Sequence, residues 1–162
     1  MRFDHTVCTV AMPGDVWAIW TDVTRWPDWD TELESASVEG GRLAMGASGN
    51  LEPRSGPTSS FVVSEFEPEG GYAFTTRLPL CKLVVRRRLG EDRDGATAFT
   101  HEVSFRGPLS FLFGFLLGRR FRAALPGVME NVRRKAERRY RARGSFPDRV
   151  KSTKGDAHDE RS

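Results

Sequence analysis

One imidazole and one guanidinium stand out as the side chains of this chain able to act on a bound molecule. In the run 96–106, side chains two apart share a face, so Thr97, Phe99, His101, Val103 and Phe105 point one way while Ala98, Thr100, Glu102, Ser104 and Arg106 point the other. The first face is apolar except at His101. The same count directs Tyr72, Phe74, Thr76 and Leu78 inward from one neighbouring run, and Cys81, Leu83, Val85, Arg87 and Leu89 from another. His101 and Arg87 in an apolar interior would polarise a ligand carbonyl or hold a carboxylate, because such interactions strengthen where water is excluded. The alternative is structural: His101 donates to a backbone or Tyr72 oxygen, and Arg87 reaches the rim or pairs with a carboxylate.

Carboxylates gather around the tryptophans, at Asp22, Asp28, Asp30 and Glu32. A carboxylate beside a cavity mouth can act as a base if burial raises its pKa. Asp22 also suits a helix start, and Asp28 and Asp30 suit a turn. Trp26 and Trp29 either gate an opening or plug the corner between helix and sheet.

Other chemistries find no handle. His5, His101 and His158 do not stand at ligand spacing with Cys, Asp or Glu, so no metal is expected. A phosphate-binding glycine loop, a dinucleotide fingerprint and a serine nucleophile motif are all missing, so no organic cofactor is expected either. Cys8 and Cys81 are too few for a disulfide scaffold, and the opening Met1-Arg2-Phe3-Asp4-His5 lacks the apolar core of a signal peptide. A reduced, cytoplasmic protein is the expectation.

These residues need elements to position them. Residues 2–11 alternate as a strand. Pro13-Gly14-Asp15 then opens a helix with Val16, Trp17, Ile19 and Trp20 at helical spacing. A second short helical turn, capped by Asp22, ends at Trp26-Pro27. From 32 to 107, Gly and Pro recur about every ten residues and separate strands at about 33–39, 45–53, 58–67, 72–79, 82–89 and 96–106. After Gly107-Pro108 one helix is predicted to run to about Arg143, bent at Pro126. Its apolar opening, 109–117, is less than half of the roughly 20 residues a membrane span needs. Leu125, Val128, Met129, Val132 and Ala136 form its buried stripe.

The 162 residues, 38% hydrophobic with 11 Phe and 4 Trp, suffice for a single core and exclude wholesale disorder. The net charge of +3 hides an asymmetry: residues 119–154 hold 13 Lys+Arg against 3 Asp+Glu. That basic block is either a solvated helix face or a surface for an anionic partner, here a membrane surface reached through Arg119–Arg143. Nucleic acid is disfavoured, since no exposed aromatics interleave with the basic residues.

The resulting architecture is α+β: a seven-stranded curved antiparallel sheet around one long C-terminal helix, with two short helices after the first strand, over residues 1–143. Residues 144–162 read as a disordered polar tail. One helix covers a concave sheet only partly, so a cavity is expected between them. Its predicted lining is Trp29, Tyr72, Phe74, Thr76, Leu78, Val85, Arg87, Phe99, His101 and Val103 from the sheet side, and Phe113, Leu117, Leu125 and Met129 from the helix.

The stretch from Pro13 to Asp22, followed by Trp26-Pro27-Asp28-Trp29-Asp30, resembles the opening of the START-like (SRPBCC) superfamily of polyketide cyclase/dehydrase-like proteins, related in fold to the birch-pollen allergen. Residues 107–120, 125–126 and 132–137 resemble its last helix, and the likeness covers about 2–141. It implies a helix-grip fold and a bound apolar molecule that is lipid-like, quinone-like or polyketide-like. The alternative it implies is a cyclase or dehydratase using His101 and Arg87. A third reading is attachment to an anionic membrane surface.

Overall fold

The computed structural model describes residues 1–144 of the chain. Strand β1 (Arg2–Thr9) leads into helix α1 (Pro13–Thr21) and a 3₁₀ helix (Val23–Asp28). A meander follows, β2 (Leu33–Val38), β3 (Ser48–Pro53), β4 (Ser59–Glu67), β5 (Gly71–Leu78), β6 (Cys81–Glu91) and β7 (Thr97–Arg106). The chain then turns helical through α2 (Ser110–Leu116) and α3 (Gly118–Gly144). The sheet order is β1-β7-β6-β5-β4-β3-β2 with every neighbouring pair antiparallel, so this is the helix-grip α+β fold.

Local chemistry sets the turns. Between β6 and β7 the Asp92 carboxylate accepts from the Asp94 and Ala96 amides at 2.9 and 2.8 Å, and Gly95 takes the left-handed conformation. In β3, a Cβ on Gly49 would lie 2.2 Å from the Ser37 carbonyl and 2.5 Å from the Phe61 ring. Glycine is required there because Phe61 lies across the strand. The register slips between Val63 and Glu65 in β4 and between Leu33 and Ser35 in β2, irregularities of the kind that add twist and curl a sheet.

The predicted helical stripe is the one buried: Leu125, Val128, Met129, Val132 and Ala136 all pack inward from α3. Three details differ from expectation. The helical run after Gly107-Pro108 is two segments interrupted at Leu117, where the backbone relaxes to φ −102° while the Leu117 amide still donates to the Phe113 carbonyl. Asp22 stands at the start of the 3₁₀ helix, yet its carboxylate accepts from the Thr24 hydroxyl and caps no backbone amide; the helix runs past Pro27 to Asp28. The tail expected from 144 onward lies outside the described residues apart from Gly144, the last residue of α3. Among the described residues no helix is long and apolar enough to cross a membrane.

Candidate functional site

Between α3 and the concave face of the sheet lies a cavity of about 260 Å³ with a predominantly apolar wall. Its deep wall is Trp26, Phe74, Val85, Arg87, His101, Val103, Leu125 and Val128, all buried. Its mouth lies among Ser55, Gly56 and Pro57 of the β3–β4 loop, Leu78, and Leu117, Arg120, Phe121 and Ala124 of the helical side. Arg120 donates to the Glu32 carboxylate, so an ion pair joins α3 to the entry of β2 at this opening.

The polar groups sit at one level of the sheet. Tyr72 is the register partner of Arg87, and Arg87 of His101, so the three stand side by side on β5, β6 and β7. Arg87 is 1% exposed and has no carboxylate partner. Its guanidinium lies 4.5 Å from the Trp26 ring centre, 4.8 Å from Trp29, 5.4 Å from Tyr72 and 5.7 Å from Phe74. The π-faces take the place of a counter-ion, an interaction that strengthens when water is excluded. Arg87 Nη1 donates to the Tyr72 hydroxyl, which itself donates to the Trp20 carbonyl at 2.7 Å. Burial pushes the Tyr72 phenol up to about 12, so it stays protonated.

The particular contacts expected of a structural pair are not the ones made. The Tyr72 oxygen is engaged with Arg87 and Trp20, leaving His101 Nδ1 buried with no partner. Arg87 neither reaches the rim nor meets a carboxylate, and its Nε is likewise unpartnered. Burial, then the Arg87 charge, holds His101 well below the ordinary histidine value, so the imidazole is neutral near pH 7 and offers both a donor and an acceptor. Thr76 Oγ1, also buried and unpartnered, lines the cavity four residues along β5 from Tyr72, roughly 13 Å nearer the mouth by strand rise.

Of the predicted lining residues, Phe74, Thr76, Leu78, Val85, Arg87, His101, Val103, Leu117 and Leu125 border the cavity. The others stand elsewhere. Trp29 and Tyr72 brace Arg87 from behind, Phe99 packs edge-on against Trp20, Met129 is in the core beneath α3, and Phe113 is a half-buried residue of α2. Trp29 also borders a second, polar cleft between α1 and α3 with Asp22, Arg25, Asp28, Lys135, Arg138 and Arg139.

Sequence reasoning left several lining residues out. Leu33, Leu51 and Pro53 come from the far strands, where short runs give weak alternation. Phe121 and Ala124 follow helical spacing from the predicted Leu117 and were findable as a second stripe beside the core stripe, whose own Val128 also reaches the cavity. Asp30 was the least legible. It borders the cavity, where burial raises its carboxyl above the ordinary value despite the Glu32 amide it accepts from and the Arg87 charge. The other carboxylates serve structure: Asp28 pairs with Arg25 and Lys135, and Glu32 with Arg120. Among the described residues no cluster of His, Cys, Asp and Glu could hold a metal ion.

The sequence profile of the family described as "Polyketide cyclase / dehydrase and lipid transport" matches residues 1–137. No curated protein matches the chain. Solved structures of the same fold include the di-domain ARO/CYC StfQ from the steffimycin biosynthetic pathway, at 15% identity and TM-score 0.65, covering 85% of this chain and 51% of that one. The chain thus spans about half of that di-domain protein. Ara h 8.0201 aligns at 13% identity and TM-score 0.62 over 85% of this chain and 98% of its own. A hypothetical protein of Helicobacter pylori, jhp0584, aligns at 10% identity and TM-score 0.68 over 83% and 86%. At these identities the structural likeness establishes the fold.

Proposed function

We propose that this chain, which belongs to the polyketide cyclase / dehydrase and lipid transport family, binds and carries an apolar small molecule whose oxygen-bearing end sits against Arg87 and His101. The carrying observation is an apolar cavity whose wall includes two buried polar side chains, the Arg87 guanidinium and the His101 imidazole, neither paired with a carboxylate. Hydrogen bonds to charged and polar groups strengthen where water is excluded, so a ligand oxygen that accepts from the guanidinium or meets the imidazole is held at that end of the cavity. The rest of the wall selects a ring system or chain without further charge. A carbonyl, phenol or carboxylate at one end of a compact hydrophobic body fits this lining.

Naphthol and naphthalene test the reading as a matched pair. The expected result is that naphthol binds about tenfold or more tightly, since a site built around an oxygen rejects the analogue lacking it. Ala124→Trp, which fills the mouth from a half-buried position, is expected to abolish binding of both. Equal affinity for the two compounds would sink the polar-end assignment. Binding unaffected by Ala124→Trp would sink the cavity itself.

Asp30 favours a second reading, a cyclase or dehydratase. A carboxyl with a raised pKa, a guanidinium and a neutral imidazole lining one apolar cavity can remove a proton next to a carbonyl that Arg87 polarises. The two readings separate on turnover: a carrier returns its polyketide-like ligand unchanged, and an enzyme does not.

A further inference from the structure

We infer that the end of the molecule bearing the cavity mouth docks on an anionic lipid surface. Phe111, Leu112, Phe115 and Leu116 stand on the outer side of α2 with 83, 46, 62 and 59% of their surface exposed. The inner side of the same helix is engaged, with Gly114 packed beneath Met1 and Phe113 against the core. Leu80, 71% exposed at the tip of the β5–β6 turn, joins this face: its carbonyl accepts from the Leu109 amide just before α2. A helix of seven residues is only about 10 Å long, too short to enter a bilayer as a span and suited to lying in its interface.

Charge identifies the partner. Arg77, Lys82 and Arg106 are successive register partners on β5, β6 and β7, forming a cationic row beside the β5–β6 turn. Arg119 and Arg120 are exposed at the start of α3, immediately after α2. The two segments that build this end, residues 70–90 and 103–129, contain no acidic residue at all. Two carboxylates border the cavity, Asp30 and Glu32, and Glu32, across the mouth, is held by Arg120. Apolar side chains ringed by an excess of cations match a bilayer whose headgroups are anionic. A second copy of this chain fits poorly, because a two-fold contact would set the cationic ring against its own image.

This placement narrows the expectation of a membrane contact through Arg119–Arg143 to the start of α3. Farther along α3, Arg133 pairs with Glu130 and Glu137, Arg134 with Glu130, Arg141 with Glu137, and Arg143 with the buried Asp15. Those arginines are compensated within the fold. Since Leu78, Leu117 and Phe121 border the cavity next to the exposed face, docking would put the mouth against the lipid. The docking itself stands independently of what the cavity holds.

Co-sedimentation of the full chain with phosphatidylcholine vesicles, with and without about 30% phosphatidylglycerol, tests it. Retention on the anionic vesicles at low salt is expected, with loss on the neutral ones and on the anionic ones at about 1 M salt, where the screening length shrinks to about 3 Å. Phe111→Asp/Phe115→Asp is expected to remove binding without changing Tm, since both side chains are outside the core. Lys82→Glu and Arg119→Glu should each weaken partitioning by about fivefold or more. Failure to sediment with anionic vesicles at low ionic strength overturns the inference. So does a concentration-dependent dimer that the Phe111/Phe115 pair disrupts, which would assign the face to a second copy.

Discussion

Arg87 and His101 are direct partners across the β6–β7 ladder, and both end on the deep wall of the cavity. A buried cation next to a buried, neutral imidazole is an expensive arrangement for a core. Neither group has a carboxylate to pair with, and each leaves one polar atom without a partner. The aromatic rings around Arg87 and its bond to Tyr72 offset part of that cost, and a polar ligand end in the cavity would offset more.

That arrangement predicts opposite effects on stability and binding at Arg87. Arg87→Met keeps most of the volume, removes the charge, and leaves the Tyr72 hydroxyl donating to the Trp20 carbonyl. Replacing a buried charge by an apolar side chain is often neutral or stabilising. Thermal unfolding should therefore show an equal or higher Tm, while the preference for naphthol over naphthalene disappears. A variant that melts lower yet keeps its preference would show that Arg87 serves packing alone.

His101 predicts a pH dependence of folding. Burial first, and the Arg87 charge second, hold its folded value well below 6.5. Above about pH 6.5 the imidazole is neutral in both folded and unfolded chains and contributes no slope. As pH falls below that point, the unfolded chain takes a proton that the folded one refuses, and stability declines. His101→Gln should flatten the fall in Tm between about pH 7 and pH 5. Parallel Tm curves for the two proteins would contradict a neutral buried imidazole.

Asp30 carries the reverse sign. Its folded value is raised by burial, so the carboxylate costs stability as pH rises through that value and costs none where it is protonated in both states. Asp30→Asn retains an oxygen to accept the Glu32 amide and is expected to melt higher near pH 7, with the gain vanishing below about pH 4. A gain of that kind at a functional position is the usual mark of a group kept for activity. If the variant were less stable at neutral pH, the carboxylate would be structural.

Trp26 holds the site together from the 3₁₀ helix. It is fully buried, stacks on Phe61, Phe74 and Tyr72, lies over Arg87, and donates its indole N–H to the Trp20 carbonyl at 2.9 Å. Trp26→Ala should cost about 3–5 kcal/mol in denaturant unfolding. A loss under about 1 kcal/mol would mean the neighbouring rings collapse into the space.

Much of this was readable before any coordinates. Two-residue alternation placed Thr76, Arg87 and His101 on one face because in extended chain the direction of a side chain is a local property of the backbone. Turn residues at regular intervals marked the meander, and the 3.6-residue stripe in α3 marked the face that covers it. Which groups meet is a different matter. Trp26 and Trp29 reach Arg87 from some sixty residues away, Tyr72 gives its hydroxyl to Arg87 and Trp20, Asp30 turns into the cavity, and the distal arginines find Glu130, Glu137 and Asp15. Those outcomes depend on how far the sheet curls and where the 3₁₀ helix lands on it, quantities set by the packing of distant segments and carried by no local pattern.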